Sequence, residues 1–153
     1  MGVTVLGTGD PAPIGPFLFP GNPGNETIVG TNENDTFVGS AGADFMAGLG
    51  GADTFDYNNL NEGGDAIADF TAGAGGDILN LQTLLATLPG YIPGVNAADY
   101  VRVSGFSVNG QQQTQILIDA DGVMGPGPAT SFVNLYDTNQ TYDSLLAGGN
   151  LIV

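Results

Sequence analysis

The stretch GNPGNETIVGTNENDTFVGSAGADFMAGLGGADTFD, residues 21–56, repeats every nine residues. A glycine begins each nine-residue unit, at Gly21, Gly30, Gly39 and Gly48. An acid follows five residues later, at Glu26, Asp35, Asp44 and Asp53, and a large apolar residue comes two after that, at Ile28, Phe37, Met46 and Phe55. Such a period is too short for a helical hairpin or a propeller blade, which need units of more than about thirty residues.

Each unit has the composition of a tight turn followed by a short strand. Its first six residues are rich in Gly, Asn and Ala, and glycine adopts positive φ at low cost. The three that follow, such as Thr36-Phe37-Val38, favour extended backbone with the middle side chain on one face. Two units therefore close one coil of 18 residues, and stacked coils bury the apolar row between two parallel sheets. The sequence predicts a mainly β fold, a parallel β-roll.

Stacking the coils also stacks the acids. Residues one coil apart lie about 4.8 Å from each other, so Asp35 stacks on Asp53 and Glu26 on Asp44. Two like charges about 5 Å apart repel by roughly 3 kcal/mol at an effective dielectric constant near 20. A calcium ion between the turns replaces this repulsion with attraction, because both carboxylates and turn carbonyls bind it. The Asp35/Asp53 pair suits such a site better than the Glu26/Asp44 pair, because Glu is longer.

Composition limits the functions open to the chain. It has 153 residues, 16 acids against a single base, Arg102, and a net charge of −15, so nucleic acid and anionic membranes are poor partners. Cys, His and Lys are absent, which excludes thiolate and imidazole ligands and Schiff-base chemistry. The ligands that remain are oxygens, and these favour calcium. The N-terminus lacks the basic and apolar regions of a Sec signal peptide, and no apolar run is long enough for membrane insertion.

The repeat resembles a known family. The calcium-binding repeat of RTX proteins has the form G-G-x-G-x-D-x-U-x, and residues 39–47 and 48–56 each match four of its five specified places. Residues 30–38 depart at the second and fourth positions, and 21–29 have Glu26 in the place of Asp. The resemblance implies calcium held by the acids together with turn carbonyls at the first and third positions, here Gly30, Asn32, Gly39, Ala41, Gly48 and Gly50. The alternative, ordinary Gly/Asp turns in a β-rich protein, does not account for four units in strict register.

The chain beyond the repeats resembles proteins exported by type I secretion. Residues 65–70 and 75–81 follow the form D-x-I-x-D-F and G-x-D-x-L-x-L found after RTX repeats in such proteins. The resemblance implies that Asp65, Asp69 and Asp77 cap the open calcium position of the last coil, and the alternative is that they are solvated loop acids. Residues 115–122 and 145–153 resemble the C-terminal target domain of the same export route. We interpret the D-A-D-G turn at 119–122 as a plain turn, since it lacks the further acids of an EF-hand loop.

We expect one continuous unit with three parts. They are an extended N-terminal arm over 1–20, the repeats over 21–57, and a β-rich C-terminal region with short helices over 58–153. Patterning predicts strands over 3–5, 100–108, 115–118, 131–136 and at the C-terminus, helices over 81–88 and 142–147, a loop over 11–23, and a hairpin turn at Asn109-Gly110.

These features favour a secreted calcium-binding structural protein. The resemblance implies export by a type I ABC transporter and a location outside the cell or at its surface, where calcium folds the chain. Met1 favours a complete small protein that forms a homo-oligomer or filament through its arm and the open roll ends. Docking of the arm on a neighbouring subunit and folding back on its own roll are both open.

Two other classes of function are weighed against this one. The chain is alternatively the C-terminal export-and-folding module of a larger RTX adhesin or toxin. Catalysis is disfavoured, because most of the acids are assigned to turns and no second domain forms a substrate cleft.

Overall fold

The computed structural model describes residues 2–5, 16–122 and 127–153, and of residues 2–5 it describes the backbone. The strands in these ranges are β1 (Gly2–Val5), β2 (Leu18–Pro20), β3 (Glu26–Val29), β4 (Thr36–Val38), β5 (Phe45–Ala47), β6 (Thr54–Asp56), β7 (Asp65–Ile67), β8 (Ile78–Asn80), β9 (Val101–Val108), β10 (Gln111–Ile118), β11 (Thr130–Tyr136) and β12 (Leu151–Ile152). The helices are α1 (Gln82–Ala86), α2 (Ala97–Tyr100) and α3 (Tyr142–Gly148), with a 3-10 turn at Leu60–Glu62.

The strands form two sheets that face each other across the coils. One sheet has the order β1-β3-β5-β7-β11-β10-β9 and the other has the order β12-β8-β6-β4-β2. From β2 to β8 the chain alternates between the two sheets, and each strand from β2 to β6 pairs in parallel with the strand two further along. This confirms the predicted parallel β-roll, in which two nine-residue units make one coil.

The apolar residues of the repeat pack in the register that the period predicts. Phe37 pairs with Phe19 above it and Phe55 below it, and the rings stack with centroids 5.0 and 4.8 Å apart. In the opposite sheet Met46 pairs with Ile28 and Ile67. All of these side chains are buried. Offset stacking of aromatic rings adds about 0.5–1.5 kcal/mol per pair to the gain from burial.

The roll begins before residue 21, where the sequence predicted its start. We expected an arm over 1–20, but β2 pairs with β4 and buries Phe19. That boundary is wrong, because Phe19 lies one coil before Phe37 and continues its stack. The expected strand at 3–5 lies within β1, which pairs in parallel with β3 of the same chain. Of the loop expected over 11–23, residues 11–15 lie outside the described residues and 18–20 form β2.

The C-terminal region extends both sheets of the roll. Strand β11 pairs in parallel with β7, and β12 pairs in parallel with β8. Strands β9 and β10 form the hairpin that Asn109-Gly110 predicts, and both turn residues have positive φ, 54° and 86°. The predicted helices are confirmed as α1 and α3, and α3 ends at Gly149 with φ 76°. One buried core therefore runs through the repeats and the C-terminal region.

Two short elements were not predicted. Helix α2 is only four residues long, and the 3-10 turn at Leu60–Glu62 interrupts the nine-residue rhythm. Segments this short carry too few residues to show a helical pattern. In the described part of the chain, every helix is too short or too polar to cross a membrane.

Candidate metal centre

The acids of the repeat form two rows along the roll. The first acid row consists of Glu26, Asp44 and Asp65, and the second consists of Asp35, Asp53 and Asp77. The register aligns the members of each row, because they precede or begin strands that pair with one another. The stacking of Asp35 on Asp53 and of Glu26 on Asp44 is as the sequence predicts. Asp65 and Asp77 continue the rows beyond the repeats.

Each row is held together by hydrogen bonds from backbone to carboxylate. In the second row, Asp53 Oδ1 accepts the N–H of Asp35 (2.8 Å), and Asp77 Oδ1 accepts the N–H of Asp53 (2.9 Å). In the first row, Asp44 Oδ1 accepts the N–H of Glu26 and Asp65 Oδ1 that of Asp44, at 2.8 and 2.7 Å. One oxygen of each Asp in these rows therefore fastens its coil to the neighbouring coil, and the other oxygen decides what the turn can bind.

Two turns satisfy the second oxygen from within themselves. Asp35 Oδ2 accepts the backbone N–H of Thr31 (2.7 Å) and the hydroxyl of Thr31 (2.9 Å). Glu26 accepts the backbone N–H of Asn22 on Oε2 and the Asn22 side-chain amide on Oε1, so both of its oxygens are satisfied within its own turn. These two units depart furthest from the repeat pattern. Because their acids already accept hydrogen bonds within the turn, they depend less on a bound cation.

The other two turns leave the second oxygen without a donor. Asp44 Oδ2 is buried and has no hydrogen-bond partner among the described residues. Asp53 Oδ2 likewise accepts none of the hydrogen bonds found there. The second position of each turn adopts positive φ, 62° at Ser40 and 73° at Leu49, and its N–H does not donate to the acid of its own turn, as the N–H of Thr31 does. A buried carboxylate oxygen without a donor is costly, and a bound cation would remove that cost.

Glycines bring the backbone close to these carboxylates. A Cβ on Gly48 would collide with Asp53 Oδ2, and a Cβ on Gly30 would lie 2.9 Å from Asp35 Oδ2. A Cβ on Gly39 would lie 3.0 Å from Asp65 Oδ2. Glycine at the first position of these three units therefore leaves room for a carboxylate to approach the main chain.

The three acids beyond the repeats are not equivalent. Asp65 and Asp77 are buried, with 0% and 3% exposure, which excludes the alternative of solvated loop acids for these two. Asp69 lies outside the rows, and its two oxygens accept the N–H groups of Gly48 (3.0 Å) and Leu49 (2.8 Å). Asp69 thus holds the beginning of the 48–53 turn, while Asp77 holds its end.

Sequence reasoning missed two residues beside the first row, Glu62 and Tyr57. Glu62 is buried and accepts the N–H of Asn58 and the side-chain amide of Asn59. The Tyr57 hydroxyl donates to Asp65 Oδ2 at 2.8 Å. Glu62 falls nine residues after Asp53, so the period does indicate it, but the inserted 3-10 turn places Asp65 in the row instead.

The D-A-D-G turn has a different environment. Asp119 Oδ2 accepts a hydrogen bond from the Arg102 guanidinium at 3.0 Å. Asp121 Oδ2 accepts the N–H of Gly127 at 3.0 Å. The positive guanidinium of Arg102 lies where a metal ion bound to Asp119 would lie. This fits the interpretation of residues 119–122 as a plain turn.

Burial raises the pKa of the second and third acids of each row. Desolvation raises the pKa of Asp53 to about 6 and that of Asp65 to about 7, from the ordinary Asp value of 3.8. Desolvation also raises the pKa of Asp44 and of Asp77. The pKa of Glu26 is instead lowered by its hydrogen bonds from Asn22. Without metal, the protein therefore disfavours the charged form of these four Asp side chains, as expected of a cation site.

The residues present fit a calcium ion. Asp44 Oδ2 is a buried orphan oxygen, and the donor set contains only oxygens, which is the preference of calcium. Among the described residues, no three acid side chains gather at metal-binding distance. A calcium ion here would therefore take most of its ligands from turn carbonyls, and the six named above lie in the turns concerned. Of these, the Ala41 carbonyl accepts the N–H of Gly24 at 2.6 Å and retains a second lone pair.

The raised pKa values predict how pH acts on the metal-free protein. An acid whose pKa is higher in the folded than in the unfolded state stabilises the fold below its unfolded pKa, and this stabilisation is lost as pH rises through the folded pKa. In chelator, we expect the free energy of unfolding to fall by about 2 kcal/mol or more between about pH 4.5 and pH 7.5. The folded fraction of the chelated chain, followed by circular dichroism at a series of pH values, measures this. A stability that rises over the same interval would contradict the assignment.

The glycine approach predicts a pair of variants with different outcomes. Gly48→Ala places a methyl group against Asp53 Oδ2, so we expect it to raise the calcium concentration needed for folding by about tenfold or more, equivalent to about 1.4 kcal/mol. Gly50→Ala is the matched control, since its Cβ would lie 3.3 Å from Asn32 Oδ1 and the carbonyl is retained. A calcium titration followed by circular dichroism compares them. Equal shifts in the two variants would count against the proposed role of Gly48.

Comparison with known proteins agrees with this geometry. Residues 20–55 match the family model of the RTX calcium-binding nonapeptide repeat in four copies. The solution structure of a subunit from the Azotobacter vinelandii mannuronan C5-epimerase has a similar fold, with a TM-score of 0.51 and 22% sequence identity over 97% of this chain and 86% of that chain. A search of curated proteins finds no match. Residues 20–55 are thus RTX calcium-binding repeats, and the likeness to the epimerase subunit concerns the fold.

Proposed function

We propose that this protein is a secreted structural module that calcium folds outside the cell and that then assembles end to end. The observation that carries the proposal is the pair of acid rows, in which Asp44 and Asp53 each present a carboxylate oxygen without a donor. Without a cation these rows repel, and the burial of their inner acids costs free energy. With calcium bound, the same oxygens become ligands, and the binding free energy adds to the stability of the fold.

The two rows explain why calcium would act as a folding trigger. The ligands lie on consecutive coils, so a calcium-binding turn is complete only when its neighbours have stacked. At the low calcium concentration of the cytosol, the net charge of −15 favours the extended chain. Extracellular calcium modules typically have dissociation constants of about 10⁻⁴–10⁻³ M, which matches the concentration outside cells. Export through a type I transporter, as the resemblance implies, would use this difference.

The ends of the roll support the assembly part of the proposal. At one end the outermost strands are β1 and β2, and at the other they are β9 and β12. Among the described residues, each of these edge strands is paired on one side and open on the other. Strands β2 and β12 run parallel to their neighbours, so a second copy stacked head to tail would meet a strand of the same direction. Head-to-tail contacts of this kind give open filaments.

Strand β1 offers a second way of linking copies. It pairs with β3 at the edge of its own sheet. The same pairing formed with β3 of a neighbouring copy would be an exchange of identical elements, which costs little free energy. Deletion of residues 1–15 leaves β2 and Phe19 in place and is therefore the suitable variant for testing the arm.

Light scattering tests the proposal as a whole. Calcium is added to the chelated, purified chain up to millimolar concentration. We expect compaction followed by growth to large particles, reversed by chelator, and we expect the chain lacking residues 1–15 to bind calcium but to form smaller particles. Compaction to a stable monomer in both chains would contradict the assembly part and leave calcium folding standing.

A second candidate function is the export-and-folding module of a larger protein. The likeness in fold to a subunit of a mannuronan C5-epimerase favours it, because there the fold is one part of an enzyme. In that case the chain itself has no reaction to perform, and it supplies a calcium-dependent fold to the part attached to it. The monomeric outcome of the scattering experiment is the one that this candidate predicts.

A further inference from the structure

Asn150, which follows α3 and precedes β12, lies far from the repeats in sequence but next to them in the fold. It is 1% exposed, and its side chain makes three hydrogen bonds to one loop. Its Oδ1 accepts the N–H of Gly73 (2.7 Å), and its Nδ2 donates to the carbonyls of Gly73 (3.0 Å) and Asp77 (2.8 Å). All of the hydrogen-bonding groups of the amide except one lone pair are thus directed at residues 73–77.

The backbone of Asn150 is fixed from both sides. Its N–H donates to the Leu145 carbonyl in the last turn of α3, and its carbonyl accepts the N–H of Leu79 in β8. Gly149, with φ 76°, makes the turn from α3 to β12 that brings Asn150 inward. Glycine at 148 is also required, because a Cβ there would collide with Asn150 Oδ1. The amide therefore reaches the loop from a rigid support.

The loop that Asn150 holds is the one that carries the last acid of the second row. Asp77 Oδ1 accepts the N–H of Asp53, and Asp77 Oδ2 accepts the N–H of Thr71. Asp53 is the acid of this row whose second oxygen has no donor. A shift of Asp77 would release the N–H of Asp53 and change the position of that oxygen.

We propose that Asn150 is a positioning residue for the calcium site of the second acid row, acting through the 71–77 loop and Asp77. The inference rests on the proposed calcium binding at Asp53. It concerns one row only, because the three side-chain hydrogen bonds of Asn150 are to Gly73 and Asp77, while the first row ends at Asp65, whose oxygens accept from Asp44 and Tyr57. The last residues of the chain thus complete a metal site that begins in the repeats.

A calcium titration resolved by residue tests this inference. The probe is calcium chloride added to the chelated full-length chain, and the readout is the calcium concentration at which native backbone amide signals reach half intensity. Residues 49–51 report on the second row and residues 40–42 on the first. In Asn150→Leu, which keeps the size of the side chain and removes all three hydrogen bonds, we expect the second-row midpoint to rise tenfold or more and the first-row midpoint to change less than twofold.

Two further variants separate positioning from general destabilisation. Thr114→Val is the matched control: Thr114 is 0% exposed, and its hydroxyl donates to the Thr138 carbonyl and accepts the N–H of Gln140, away from both rows. It should move the two midpoints together. Asn150→Ser retains a shorter polar side chain, so it should shift the same row as Asn150→Leu by a smaller factor and stays measurable if the leucine variant fails to fold.

The outcomes are distinguishable. Selective loss at residues 49–51 in the Asn150 variants supports the inference. Equal shifts of both rows, as in Thr114→Val, would overturn it while leaving calcium binding intact. If the turn amides of the unaltered chain do not respond to calcium, the proposed function fails, and the inference fails with it.

Discussion

Asp53→Asn is expected to raise the calcium concentration needed for folding by tenfold or more, a cost of at least about 1.4 kcal/mol in calcium binding. The substitution removes a charged ligand from the second row, and the number of charged ligands sets calcium affinity. It retains an oxygen that accepts the N–H of Asp35 and so preserves the contact between coils. In chelator, the same variant should be at least as stable as the unaltered protein, because a neutral amide avoids the desolvation that raises the pKa of Asp53 to about 6.

This reversal of sign between calcium and chelator distinguishes a metal ligand from a structural residue. Asp137→Asn is the matched control, since Asp137 is exposed and its positive φ of 57° is tolerated by Asn. It should alter neither the calcium midpoint nor the stability by more than about 0.5 kcal/mol. A calcium titration followed by circular dichroism measures the midpoint, and the folded fraction in chelator at a series of pH values measures the stability of the metal-free protein. Loss of stability in chelator, or an unchanged calcium midpoint, would contradict the role of Asp53.

Phe37→Ala is expected to lower the free energy of unfolding of the calcium-loaded protein by about 3–5 kcal/mol. Phe37 is fully buried, and its ring lies between those of Phe19 and Phe55. Its removal leaves a cavity in the middle of the stack, and neighbouring coils cannot close around it without breaking the ladder of backbone hydrogen bonds. A loss of this size is a large part of the total stability of a domain, typically about 5–15 kcal/mol.

Phe45→Ala provides a control with the same chemical change. Phe45 precedes Met46 in β5, so its side chain lies on the outer face of the sheet, and it is 45% exposed. Its substitution should cost less than about 1 kcal/mol. Urea denaturation midpoints at saturating calcium compare the two variants. Similar losses at the two positions would show that the stacked row is not the core of the roll.

The nine-residue period sufficed to predict the roll, its register and the stacking of Asp35 on Asp53 and of Glu26 on Asp44. All three follow from local turn chemistry and from the two-residue alternation of strands, which act within a single coil. Phe19 was missed because the residues before it lack the glycine-rich turn that marks the other units. Its place in the stack is visible only by counting 18 residues back from Phe37.

The end of each acid row was harder to predict because insertions break the period. Asp65 follows Asp44 by 21 residues and Asp77 follows Asp53 by 24, in place of the 18 that separate Asp35 from Asp53. The family resemblance indicated these acids, whereas spacing alone points to Glu62. Asn150 had no local signal at all, since it lies 77 residues from Gly73 and its role depends on how α3 and β12 pack against the roll.

The dependence of the fold on calcium is the central claim, and a backbone amide NMR titration of the chelated full-length chain near pH 7.5 tests it most directly. We expect poorly dispersed amide signals in chelator and a well-dispersed spectrum at millimolar calcium, with magnesium at the same concentration much less effective because it demands octahedral geometry and sheds its water reluctantly. A well-dispersed spectrum in chelator that calcium leaves unchanged would contradict the account, because the acid rows would then be stable without a cation.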